Sequence, residues 1–147
     1  QVTAADTLPA GIDFDAKLMP DSNTVWKPIV AERRGLVNLT RLYGAAASKR
    51  IAWLRATIHS DDARGCTLRL GFLNEVWVWV NGRLLYLDKN YYGEPIAKQL
   101  GRLSIDNSTL TVPLQKGDNE ILVGVGNAFY GWGIAARLDD TNGIELR

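Results

Sequence analysis

The stretch Glu75-Val-Trp-Val-Trp-Val-Asn-Gly82 limits what this chain can become more than any other. Side chains alternate along an extended backbone, so Val76, Val78 and Val80 take one face and Trp77 and Trp79 the other. β-Branched and aromatic residues favour a pleated backbone, and a strand apolar on both faces has to lie inside the protein with material packed on each side. Asn81-Gly82 tolerates the positive φ angles of a type I′ turn, and Leu84, Leu85, Tyr86 and Leu87 offer a return strand. The expectation is a central β-hairpin with Trp77 and Trp79 in or near the core.

Other segments carry the same period. Residues 50–58 alternate, with Ala52, Leu54, Ala56 and Ile58 on one face, and Leu68, Leu70 and Phe72 form the inward side of the next strand. Leu103 and Ile105 with Leu110, Val112 and Leu114 suggest a second hairpin around Asp106-Asn107-Ser108. A turn over residues 115–119 leads to a buried strand with Ile121, Val123 and Val125 on one face. Residues 132–138 and 143–146 close the pattern. Residues 26–30 and 35–42 are shorter extended candidates separated by a turn at Arg33-Arg34-Gly35. Residues 1–24 lack a sustained period and read as an irregular leader with Phe14 and Leu18 as anchors, ahead of a core over 25–147. Eight or more short strands with almost no helical periodicity indicate an all-β antiparallel sandwich forming one domain over 1–147.

Composition removes several function classes. A net charge of +1 with scattered Lys and Arg offers no field for nucleic acid or anionic lipid. No apolar run approaches the roughly 20 residues of a spanning helix. Cys66 is the only cysteine and His59 the only histidine, which rules out an internal disulfide and a His or Cys metal cluster from this chain alone. The absence of a charged segment followed by an apolar run at Gln1 suggests a processed protein or an excised domain. Gly124-Val125-Gly126 after a strand lacks the third glycine and the helix of a dinucleotide site. His59, Ser60, Asp61 and Asp62 are adjacent in an extended turn and point in different directions, so they do not make a triad.

Val78-Trp-Val-Asn-Gly82, Val112-Pro-Leu-Gln-Lys-Gly-Asp-Asn-Glu-Ile-Leu-Val-Gly-Val125 and Gly131-Trp-Gly-Ile-Ala-Ala-Arg-Leu138 together resemble the galactose-binding-like jelly roll. This fold includes the sugar-binding-type domains of glycoside hydrolases and their accessory carbohydrate-binding modules. The resemblance covers residues 26–146. It implies a non-catalytic carbohydrate-binding module, accessory to a polysaccharide-degrading enzyme and acting outside the cytoplasm as a secreted, periplasmic or cell-surface protein. Its partners would be a saccharide and the other domains of a parent protein. It also allows a structural calcium, for which Asp61-Asp62 and Asp139-Asp140 are the oxygen-rich pairs. The alternative is a sandwich that links or positions neighbouring domains and has no ligand of its own.

Sugar binding on such a scaffold wants an exposed ring for the apolar face of a pyranose and amide or charged groups for its hydroxyls. Two loop stretches combine a ring with an amide. One carries Asn90, Tyr91 and Tyr92 in a connection over residues 88–99, and the other carries Asn127, Tyr130 and Trp132. These six residues are the candidate ligand contacts, against the alternative that their rings cap the ends of the core.

Overall fold

The protein is described by a computed structural model covering residues 1–5, 19–45, 50–93, 95, 101–127 and 130–147. The expected leader anchors Phe14 and Leu18 lie outside these residues. Among the described residues, ten strands and one short α-helix follow in the order β1 Val2–Ala5, β2 Leu36–Val37, α1 Leu39–Tyr43, β3 Arg50–Ser60, β4 Arg64–Phe72, β5 Asn74–Val80, β6 Arg83–Asn90, β7 Ser108–Leu114, β8 Gly117–Asn127, β9 Ile134–Asp139 and β10 Ile144–Leu146. All pairings are antiparallel. One sheet runs β1-β3-β8-β5-β6, with β10 also on β3, and the other runs β2-β9-β4-β7. These two sheets face each other as a β-sandwich.

The central hairpin forms as its sequence dictates. Asn81 and Gly82 have φ of 49° and 75°, both positive as a type I′ turn requires. The register shifts between Val78 and Trp79, leaving Leu85 as the extra residue of a bulge. Val76, Val78 and Val80 join the core between the sheets, with Leu70, Phe72, Val112 and Val125. Trp77 and Trp79 build a second core on the outer face of the larger sheet, with Ile51, Trp53 and Leu122, under Met19 and Trp26. The rings of Trp53 and Trp79 lie 5.4 Å apart, and the Arg55 guanidinium stands 4.6 Å from the Trp26 ring centre. A Cβ at Gly124 would lie 3.0 Å from the Trp53 ring, and one at Gly126 would lie 3.2 Å from the Trp77 ring. The Gly-Val-Gly sequence is therefore the seat of two indoles.

Several sequence expectations are corrected. The leader is not wholly irregular, because Val2–Ala5 pairs with residues 51–54 of β3. Edge pairing through backbone groups needs no apolar period, so sequence pattern does not reveal it. Residues 39–43 are helical rather than extended, since Asn38 accepts a hydrogen bond from the Arg41 N–H and caps one turn. Lys27 alone in the 26–30 stretch makes a bridge. The second hairpin does not form. Ser108–Leu114 pairs with β4 instead, and residues 102–107 are held as a loop by the Asn107 side chain, which accepts from the N–H groups of Phe72 and Ser104.

Gly82 and Gly117 have φ of 75° and 94°, and no atom lies within 4 Å of a Cβ added at either. Only backbone strain opposes a side chain there. Valine at Gly82 or Gly117 is expected to cost about 1–2 kcal/mol, read as a lower urea midpoint with an unchanged slope. A midpoint equal to that of the parent protein would contradict the turn assignment.

Candidate functional site

The larger sheet ends in a row of polar residues. Asn90 of β6 pairs with Asn74 of β5, and Asn127 of β8 pairs with Arg50 of β3. Asn74 Nδ2 donates to Asn127 Oδ1 at 3.3 Å, tying the row across β5 and β8. The loops that leave β6 and β8 therefore start from one end of the sandwich, two strand spacings or about 10 Å apart.

The first loop is clamped by amides. Asn90 is 1% exposed, and its Nδ2 donates to Phe72 O at 2.8 Å and to Arg102 O at 3.1 Å. Asn107 Nδ2 donates to the same Arg102 carbonyl at 3.3 Å. A side chain at Gly101 would collide with the backbone of Tyr92, so the returning chain packs directly against the outgoing one. Below this clamp the Tyr86 hydroxyl bonds to Asp88 and to Ser108 Oγ, joining the edges of the two sheets. Burial and the Asp88 bond push the Tyr86 phenol up to about 12, so it stays protonated and structural.

The second loop is turned by Tyr130, whose φ of 60° is left-handed, and Asn127 Nδ2 donates to Tyr130 O at 3.4 Å. Trp132 is 2% exposed, donates Nε1–H to Gly44 O at 3.1 Å, and packs on Tyr43 with ring centres 6.2 Å apart. Its backbone N–H donates to Thr40 Oγ1 at 2.7 Å. Trp132 thus fastens α1 to the end of the sandwich.

Of the six candidate contacts, the structure presents the rings of Tyr92 and Tyr130, which are 69% and 75% exposed. Tyr91 is half-buried. Asn90, Asn127 and Trp132 are buried, and their side chains bond to main-chain carbonyls. Irregular backbone at a strand end needs partners, and an amide or indole N–H supplies them. Asp88 to Asn90 belong to β6, so the loop is shorter than the expected 88–99 span. Glu94, residues 96–99 and Phe129 lie outside the described residues. The sequence marks Asn107 only as a hairpin turn residue and gives Asn74 no role, since an asparagine that clamps a loop looks like one that makes a turn. Glu75 and Lys89 add an ion pair of 3.5 Å one residue in from Asn74 and Asn90.

The side chains of His59 and Asp139, both singled out from the sequence, have structural partners. His59 is half-buried at the end of β3 rather than free in a turn, and its Nδ1 lies 2.7 Å from Asp118 Oδ1. That bond and Arg147 hold the Asp118 carboxyl below the usual carboxylate range. Ser60 is buried and donates to Asp62 O, away from the ring. Burial pushes the Cys66 thiol up, leaving it unreactive. Asp139 gives its two oxygens to Arg69 and Arg137. No group of three or more His, Cys, Asp or Glu side chains suited to a metal occurs among the described residues. Asn38-Leu39-Thr40 and Asn107-Ser108-Thr109 both match the glycosylation sequon, and the amide of Asn107 is buried in the loop clamp.

Two facing antiparallel sheets with loops gathered at one end make this an all-β antiparallel sandwich. Comparison by sequence finds no matching protein family and no matching curated protein. By structure, the chain is similar to part of the β-glucosidase from Kluyveromyces marxianus. With the selenomethionine-labelled enzyme the TM-score is 0.59 at 12% identity, over 95% of this chain and 17% of that one. With the glucose complex it is 0.53 at 12% identity, over 95% and 15%. A family 35 carbohydrate-binding module from an environmental isolate aligns with a TM-score of 0.44 at 18% identity, over 70% of this chain and 72% of that module. At these identities the likeness is one of fold, and this chain spans about a sixth of the enzyme's length.

Proposed function

We propose that residues 1–147 form one non-catalytic carbohydrate-binding module attached to a polysaccharide-degrading enzyme, acting outside the cytoplasm. The observation that carries this reading is the pair of exposed rings, Tyr92 and Tyr130, on loops that leave the same end of one sheet. The amides of Asn90, Asn107 and Asn127 bond backbone carbonyls beside these loops, and Tyr92 and Tyr130 are still 69% and 75% exposed. A saccharide would lay its apolar faces on these rings, with Tyr91 beside them. One or two ring contacts and a few net hydrogen bonds of about 1 kcal/mol each give roughly 4–8 kcal/mol, a micromolar to millimolar affinity.

The test is a glycan array followed by titration of the bound sugar against Tyr91→Ala, Tyr92→Ala and Tyr130→Ala. Tyr92→Ala and Tyr130→Ala are expected to weaken binding tenfold or more at an unchanged melting temperature. Full affinity in all three would remove the site. A second reading, a sandwich that positions neighbouring domains, is favoured by Leu84, Leu85 and Leu87, which are 37–53% exposed beside the outer tryptophan layer. An array without any bound glycan supports that reading.

A further inference from the structure

The two halves of the inner core are filled differently. Between β4, β5 and β7, Phe72, Val76, Val78 and Val112 are closed to solvent at 0% exposure. Toward β3 and β9 the sheets stand around an apolar cleft of about 630 Å³. Its walls include Leu54, Ile58, Ile121, Val123 and Ile144 from the larger sheet, with Leu68, Leu70 and Leu138 from the smaller one. Alanine occurs where bulk would fill the space, at Ala56 on β3 and Ala136 on β9, and both are open to solvent in part. Protein interiors pack with few voids larger than a water molecule, and an apolar cavity holds water poorly. A space of about 630 Å³ lies within the roughly 300–1,000 Å³ range of small-molecule sites.

The rim of the cleft decides what can enter. An added strand would need free backbone groups on β3 between β1 and β10, and the N–H and carbonyl of Arg55 and the carbonyl of Thr57 are taken. Arg55 N donates to Gln1 O at 2.8 Å, and Arg147 N donates to Thr57 O at 2.9 Å. An anionic headgroup would need a guanidinium, and the three arginines at the mouth spend theirs elsewhere. Arg55 bonds Gln1 Oε1 and covers Trp26, Arg137 bonds Asp139, and Arg147 bonds Asp118 and Glu145.

We propose that this cleft is a second binding site, separate from the tyrosine-bearing end, and that it takes an uncharged apolar small molecule such as an alkyl chain or a small aromatic. The site is built chiefly from β3, β4, β8, β9 and β10 and shares no residue with the saccharide reading, so either can fail alone.

The experiment is fluorescence titration of the intact chain with N-phenyl-1-naphthylamine, an uncharged apolar probe. Saturable binding of one probe per chain is expected, with a rise in melting temperature on addition of probe. Ala56→Leu, which fills the cleft from inside, and Ala136→Phe, which plugs it at the mouth, should each weaken probe binding at least tenfold with circular dichroism unchanged. If one variant fails to fold, the other still decides. Two results overturn the proposal: no saturable signal, or parent-like affinity in a folded variant. A concentration-dependent dimer that excludes the probe also overturns it, by giving the cleft to a second copy.

Discussion

Val78→Asp is expected to leave the chain unfolded at room temperature. Val78 has no exposed surface, sits in the middle of β5, and pairs with Val123 on one side and Tyr86 on the other. Its side chain points between the sheets, in an apolar cluster with Phe72, Val112 and Val125. A carboxylate there would protonate rather than stay charged, and even the neutral acid would keep polar atoms without partners. The combined loss of packing and burial of an unpaired group is several kcal/mol, against a total stability of about 5–15 kcal/mol. Val78→Ala is the informative companion. It removes only two methyl groups and should cost about 2 kcal/mol while leaving a folded protein. Far-ultraviolet circular dichroism and tryptophan emission read both. A Val78→Asp protein with the parent's cooperative melt would mean that the valine face is not the core.

The legible and illegible parts of this fold divide along a physical line. Burial of a strand face writes a period of two into the chain, and β3, β4, β5 and β8 could be read from it. Trp77 and Trp79 opposite three valines even announced that both faces of β5 are covered. Elements made by hydrogen bonds to distant partners left no such trace. β1 is held by backbone pairing. α1 is a single turn capped by Asn38 and fastened by Thr40 to Trp132, 92 positions away. The candidate site shows the same division. Position in a loop was enough to mark Tyr92 and Tyr130, whose rings are exposed. It marked Asn90, Asn127 and Trp132 equally, and these turn inward, because exposure of a loop residue depends on what the loop packs against. The asparagines are the hardest to read, since one residue type makes the hairpin turn at Asn81, the helix cap at Asn38 and the buried clamps at Asn90 and Asn107.

Asn119 is the strongest case of such a buried amide, and replacing it with leucine is expected to cost about 3 kcal/mol or more. The residue has no exposed surface. Its Oδ1 accepts from Asn81 Nδ2 at 2.9 Å and from Gln115 N at 2.8 Å. Its Nδ2 donates to Gln115 O at 2.8 Å, to Gly117 O at 2.9 Å and to Ile58 O at 3.4 Å. One amide therefore closes the turn between β7 and β8, ties it to the central hairpin through Asn81, and reaches the end of β3. Asn81 completes the link by accepting from Glu120 N at 2.9 Å. Leucine has the same branched skeleton with bulkier methyl groups and cannot bond, so the groups it abandons would each carry about 1–3 kcal/mol of desolvation when water cannot reach them. At roughly 2–4 °C per kcal/mol for a domain of this size, the melting temperature should fall by about 6–12 °C. Asn81→Ala should cost less, about 1 kcal/mol, because Asn81 is exposed and water can replace its bonds. Combining Asn81→Ala with Asn119→Leu should cost less than the sum of the two, since the bond between them is lost only once. Strict additivity of the pair, or an Asn119→Leu protein within about 1 kcal/mol of the parent, would show that the amide is not what joins the two turns.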